Sequence, residues 1–432
     1  MIFNTHYTGI GRIMFNKILD LFKKKKFTTI NSWDEFSPLR TVLVGSVFEP
    51  NFFDGVKNKK IEYALKKIFE ETIEDLENFK EVVGSHNIKV HQVSPTEMGY
   101  KTNIMEYINP EGKVGYHGFR GGDDDYDITR NNLIPSAPLQ VRDETIIMGN
   151  EVFVTENAYN VHLIRPYYVE WFGEENCNFD VLDDKIWCRR SDYNINVLLK
   201  RRRAGDDFLD IDIVGRLTEE QKEQISKDRP LPGFCAPNIT RLGTKCLVDI
   251  WQTTDIQPIL EELYPQFTYQ SIDMYGHNDS VFSVLKPGVV IAAAWVQEEK
   301  NVQELFPGWE VIYFDDPNWE QIHNWRKLKK LNQGKWWVPG EEDNDEFTNF
   351  VETWLENWIG EVEETIFDVN TLVIDDKYVV VNSDNPVLVD VLHKHNMEPV
   401  FCPLRHRFFF DGGWHCLTLD VERDGGQQDY GL

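Results

Sequence analysis

Apolar residues along this chain fall into short paired runs. A polar lead-in, an apolar β-rich run, a tight turn and a second apolar run recur as a unit. The unit spans Arg142 to Val154, turning at Met148-Gly149-Asn150, and returns at Asn238 to Val248, His277 to Ile291 and Asp368 to Val381. Each copy predicts a β-hairpin whose first strand begins with polar residues. A further copy is split between the chain ends, with Arg40-Thr41-Val42-Leu43-Val44-Gly45 as one strand and Cys416-Leu417-Thr418-Leu419-Asp420-Val421 as the other. Helical spacing fills the intervals. Ile61 to Val83 carries apolar residues at Leu65, Ile68, Ile73, Leu76, Phe79 and Val82, and shorter helical patterns cover Ile256 to Leu263 and Val387 to His395. Strand, strand and helix thus repeat, and the split copy would close them into a ring whose polar strand starts face a common centre.

The first residues depart from this pattern. Met1 to Phe27 carries Arg12, Lys17 and the run Lys23-Lys24-Lys25-Lys26, with Met14, Ile18, Leu21 and Phe22 spaced to share one helix face. Residues 1–30 therefore read as a basic amphipathic appendage. Asp20 and the scarcity of serine favour a solvated surface helix over an organelle-targeting peptide. Residues 31–432 read as one domain, with 41% hydrophobic and 13% aromatic residues to build its core. A formal net charge of -27 argues against nucleic acid or an anionic membrane as a partner and suits a cationic substrate. The acidic stretches 121–127 and 340–346 lack a calcium-loop ligand pattern and read as solvated charge. No apolar run reaches membrane-spanning length. Cys177, Cys188, Cys235, Cys246, Cys402 and Cys416 are scattered, without a CxxC pair or ligand-like histidine spacing. Neither a zinc site nor a disulfide framework is indicated, and a cytoplasmic, reducing setting fits best.

Candidate chemistry gathers at Asp411-Gly412-Gly413-Trp414-His415-Cys416. A cysteine after two glycines pairs a nucleophilic sulfur with backbone that a substrate can approach. The competing reading is a half-buried core cysteine. The ring would bring Asp143, His277, Asp279 and Cys416 together although hundreds of residues separate them. A thiol with a histidine and two carboxylates suits attack on the planar carbon of a guanidinium. The carboxylates match its donors and its charge, and the histidine moves protons to and from the amine. In an extended strand neighbouring side chains alternate, so His415 is expected to point away from the Cys416 sulfur.

These residues resemble the amidinotransferases of the arginine:glycine amidinotransferase type, in the guanidine-modifying superfamily that also holds arginine deiminases. Trp33 to Gly45 resembles the family's opening strand, and Val141-Arg142-Asp143 with Met148-Gly149-Asn150-Glu151 its PRD and VGNE segment. Gly276-His277-Asn278-Asp279 resembles the HxD segment and Gly412-Gly413-Trp414-His415-Cys416-Leu417-Thr418 the GGxHCxT nucleophile. The resemblance runs from about Trp33 to the C-terminus. It implies a pentein-type α/β propeller of pseudo-fivefold ββαβ modules around a central active site. It also implies Cys416 as nucleophile, His277 as general acid/base, Asp143 and Asp279 as guanidinium ligands, and neither metal nor organic cofactor. The partners implied are a small-molecule guanidine donor, L-arginine first, and an amine acceptor such as glycine, with a homodimer admitted as the assembly.

The chain also departs from the family pattern. Cys235 stands where the family has the Asp that partners the catalytic histidine, and Asn238 stands where it has a second Asp. Gly276 replaces a bulkier residue, and Val296 falls near the expected carboxylate-binding arginine. A deiminase-like hydrolase and a non-catalytic guanidine-binding protein are the alternative readings.

Overall fold

The computed structural model describes residues 27, 29–107, 134, 136–154, 161–173, 176–178, 236–250, 256–274, 277–294, 297, 301–314, 344, 346, 347, 350, 355, 368–383, 385–410 and 412–432. The basic stretch before Phe27, the acidic stretch 121–127, Cys188, Cys235, Gly276 and Val296 lie outside these residues.

Within them, fifteen strands form five three-stranded sheets. The first joins β1 (Leu39–Val44) and β2 (Lys89–Gln92) to β15 (Thr418–Arg423). The second holds β3 (Thr145–Met148), β4 (Glu151–Val154) and β5 (Cys177–Asn178), and the third β6 (Ile239–Leu242), β7 (Lys245–Asp249) and β8 (Thr268–Ile272). The fourth holds β9 (Phe282–Lys286), β10 (Val289–Ala293) and β11 (Glu310–Phe314), and the fifth β12 (Leu372–Val373), β13 (Tyr378–Val381) and β14 (Glu398–Phe401). In each sheet the middle strand pairs antiparallel with one neighbour and parallel with the other. A parallel pair needs a crossover, and a helix supplies it every time: α1 (Lys59–Ser85), α2 (Val161–Phe172), α3 (Gln257–Leu263), α4 (Val302–Leu305) and α5 (Pro386–Lys394). The repeat is therefore ββαβ. The first module takes one strand from the far end of the chain, as the split pattern anticipates.

Local sequence explains the helices. Asn58 caps α1, its side chain accepting from Lys60 N at 3.1 Å, and Leu65, Ile68, Leu76, Phe79 and Val83 bury one face. Asn385 caps α5 by accepting from Val387 N at 3.0 Å, with Pro386 in the first turn, where its missing N–H costs nothing.

The polar lead-ins differ from expectation. Instead of opening the strands, they form tight turns just before them: Val141–Glu144 before β3, Ala236–Asn238 before β6 and Asn278–Ser280 before β9. Likewise β15 begins at Thr418, and Cys416 sits in the turn before it, where Leu417 N donates to Gly413 O at 3.1 Å. Strand residues spend their backbone groups on the ladder, whereas these turns spend theirs, and their side chains, on the next module.

Those bonds run from module to module. Arg142 N donates to Cys416 O (3.2 Å), Arg241 Nη1 to Ile147 O (2.8 Å) and Asn278 Nδ2 to Asn238 O (3.0 Å). Asn370 Nδ2 donates to Asp279 O (3.3 Å) and to Cys416 Sγ (3.0 Å).

Trp414 anchors the Cys416 turn to the core. Its ring stacks on Phe79 of α1 with centroids 4.2 Å apart, and its indole N–H donates to Cys402 O. Trp414 is fully buried. Trp414→Ala should therefore cost about 3–5 kcal/mol of stability, as a buried aromatic truncation does. Denaturant unfolding checks it, and a loss below about 1 kcal/mol would show that the turn is held without the indole.

Candidate active site

Two glycines set up the turn that carries Cys416. Gly412 has a φ of +127°, and a Cβ there would sit 3.0 Å from Cys416 Cβ. At Gly413 a Cβ would lie 2.7 Å from Asn370 O and 2.8 Å from Asn370 Oδ1. The glycine pair thus lets Asn370 close on the cysteine backbone. Asn370 Oδ1 accepts from His415 N at 3.0 Å and Cys416 N at 3.2 Å.

Asp279 faces this turn from the start of the fourth module. The Cys416 thiol donates to Asp279 Oδ2 at 3.2 Å, and His415 Nδ1 lies 2.7 Å from the same oxygen. Burial works to raise the Asp279 pKa, but the His415 hydrogen bond and charge, the His277 charge and the Cys416 hydrogen bond outweigh it and bring it to about 2. The carboxylate is therefore ionised and can only accept, which puts a hydrogen on His415 Nδ1. Asp279 Oδ1 is buried and accepts no hydrogen bond from the described residues. The second His415 nitrogen lies 3.7 Å from Glu35 Oε2, so the ring is held between two carboxylates.

His415 thus does not point away from the sulfur's surroundings, contrary to the alternation argument. Side chains alternate in a strand, and His415 and Cys416 occupy a turn, so both can converge on one carboxylate. His277 is half-buried and immediately precedes the turn Asn278–Ser280. Asp143 is half-buried and follows Arg142, whose N–H reaches the Cys416 carbonyl. Asn238 is buried; its carbonyl accepts from Asn278 Nδ2, and its own Nδ2 donates to Asp249 O at 3.5 Å, so it fastens the neighbouring module.

Sequence reasoning missed the support behind this turn. Asp420, fully buried on β15, accepts from Ser32 Oγ (2.6 Å), Arg241 Nη2 (2.8 Å), Arg423 Nε (2.9 Å) and Arg142 Nη2. Burial would raise its pKa, but the charges of Arg241, Arg142 and Arg423 hold it well below the usual carboxylate range. Arg142 Nε also donates to His415 O at 2.9 Å, so one guanidinium ties the hub to the cysteine turn. One signal was available. Thr418 and Asp420 alternate with Leu417, Leu419 and Val421, and a carboxylate buried on such a strand requires cationic partners.

No protein-family model matches the chain. Among curated proteins it is 23% identical to the L-arginine:L-lysine amidinotransferase of Pseudomonas savastanoi pv. phaseolicola, over 46% of this chain and 47% of that protein. It is 21% identical to the mitochondrial glycine amidinotransferase of Danio rerio, over 93% of this chain and 84% of that protein. The chain spans about half the length of the first curated relatives it matches. Among solved structures, an inosamine-phosphate amidinotransferase from Streptomyces griseus superposes with a TM-score of 0.55 at 17% identity, covering 93% of this chain and 99% of that one. An amidinotransferase from Microseira wollei in the saxitoxin pathway gives 0.52 at 17% identity with the same coverage. In sequence the chain is similar to amidinotransferases, as its motifs led us to expect, and it shares the fold of the two solved ones.

Proposed function

We propose that this protein moves an amidino group from a guanidine donor, L-arginine first, to an amine acceptor, through a covalent adduct on Cys416. The observation that carries the reading is Asp279. One of its oxygens meets the Cys416 thiol, and the other is a buried, ionised acceptor without a donor among the described residues, suited to a guanidinium N–H. Asp143 would hold the cation from the second module. In the free protein the thiol keeps its proton and donates it in a hydrogen bond to Asp279. A bound guanidinium occupies that carboxylate, and the thiol proton passes to solvent, leaving the thiolate.

The Cys416 thiolate then attacks the guanidinium carbon, giving a neutral tetrahedral species. His277, as imidazolium, protonates the departing amine as the C–N bond breaks, which leaves a cationic amidino-cysteine and neutral His277. The acceptor amine adds to the amidino carbon and gives its proton to His277. The C–S bond breaks, releasing the new guanidinium and the thiolate. This scheme needs neither metal nor organic cofactor. We propose too that the five modules close a ring around this chemistry, a reading supported by the bonds linking each module to the next and the last to the first.

Mass spectrometry of the protein incubated with arginine tests the adduct, and the products identify the reaction. Ornithine supports transfer, citrulline would instead mark a hydrolase, and an unmodified Cys416 with neither product would leave guanidine binding alone. Asp279→Asn and Asp143→Asn should each weaken donor binding about tenfold or more, since a charge-assisted bond is worth about 1.5–3 kcal/mol. Calorimetry showing unchanged affinity in both variants would remove these carboxylates from the site.

A further inference from the structure

The sulfur has a second neighbour besides Asp279. Asn370 lies in the lead-in to β12, and its side chain is buried against the cysteine turn. Its oxygen and nitrogen can be told apart, because Oδ1 faces two backbone N–H groups, of His415 and Cys416, which can only donate. Nδ2 is therefore the donor, and it reaches Cys416 Sγ at 3.0 Å and Asp279 O at 3.3 Å.

We propose that Asn370 is a catalytic residue, whose amide oxygen fixes the Cys416 backbone while its N–H group holds the sulfur and stabilises the thiolate. The proposal rests on Cys416 being the nucleophile. An N–H donor favours the charged form of its acceptor. Asp279 does the opposite, because it accepts the thiol hydrogen and repels a thiolate. Asn370 is thus the partner the sulfur keeps when a guanidinium takes Asp279 away. The Gly413 backbone backs this amide so closely that a methyl group there would meet Asn370 O and Oδ1, which limits how far the donor can turn from the sulfur. Other charged groups bear on the same titration: His415 and His277, both acting on Asp279, Glu35 behind His415, and Arg142 and Asp143 on the segment bonded to the Cys416 carbonyl.

The test needs no substrate, so it stands apart from the transfer reaction. The rate of Cys416 alkylation by iodoacetamide is measured against pH, with Cys416→Ala as the blank for the other cysteines. Asn370→Ala and Asn370→Asp should each move the midpoint upward by about one pH unit or more, about tenfold less thiolate at a given pH. Asn370→Asp keeps the acceptor for both backbone N–H groups, so it reports on the lost donor even where Asn370→Ala loosens the turn. In the wild-type protein the Asn370 side-chain amide resonance should move with the thiol titration. Superimposable alkylation curves in the folded variants, or a resonance that ignores the thiol, would overturn the proposal. A shifted midpoint without any amidino adduct would leave Asn370 as a thiolate donor and remove only the transfer reading.

Discussion

Cys416→Ala is expected to abolish amidino transfer, by roughly a millionfold, the scale on which removing a nucleophile costs turnover in other covalent catalysts. The adduct should vanish with it, while the fold remains, because Asn370 still binds the backbone N–H groups of His415 and residue 416. The expectation is specific to this thiol among the buried ones described. Burial raises the Cys402 pKa to about 12 and raises that of Cys246 as well, so both stay protonated and inert at neutral pH. The Cys416 sulfur instead has a donor on one side and an ionised carboxylate on the other. Activity that survives Cys416→Ala and is lost in Cys235→Ala would transfer the nucleophile to Cys235.

The hairpins were legible because β-branched runs separated by tight turns, most of them at a glycine, leave a strong signal over ten or more residues. The third strand of each sheet was not legible from the pattern alone. Lys89–Gln92 and Thr268–Ile272 are short, half-exposed and polar, and without the sheet beside them nothing distinguishes them from loop. The lead-in turns were missed for a related reason. Asn278–Ser280 is too short to show any period, and its position depends on Asn238 and Thr240, which Asn278 bonds across the module boundary.

The candidate site shows the same limit. Cys416 and Asp279 stood out through their motifs, and the structure brings the Cys416 thiol to an Asp279 oxygen. Asn370 and Glu35 carried no local signal, since each matters only through a residue far away in the chain: Cys416 for Asn370, and His415 for Glu35. Local periodicity can place a residue on a strand or in a turn. It cannot say which distant module will lie against it.

A stability effect as large as that of Trp414→Ala is expected at Asp420. Asp420→Asn should destabilise the protein by about 3–5 kcal/mol, because removing one member of a buried ion cluster leaves its partners uncompensated. Here the partners are the guanidiniums of Arg142, Arg241 and Arg423, all buried. Asparagine keeps the size of the side chain and loses the charge, so packing alone predicts a small loss. The pH dependence separates these views. Asp420 has its pKa depressed in the folded state, so its contribution is fully present above the unfolded value of 3.8 and is lost as pH falls through the folded value. The stability deficit of Asp420→Asn should therefore be greatest near neutrality and narrow in acid, where wild-type Asp420 is itself protonated. Denaturant unfolding of both proteins from neutral pH downward measures this. A deficit that stays constant into acid would mean that the hub works by shape. The effect should also reach the chemistry, since Arg142 holds His415 O as well as Asp420. Under conditions where Asp420→Asn remains folded, the midpoint of Cys416 alkylation should move upward in pH as its turn loosens from Asn370.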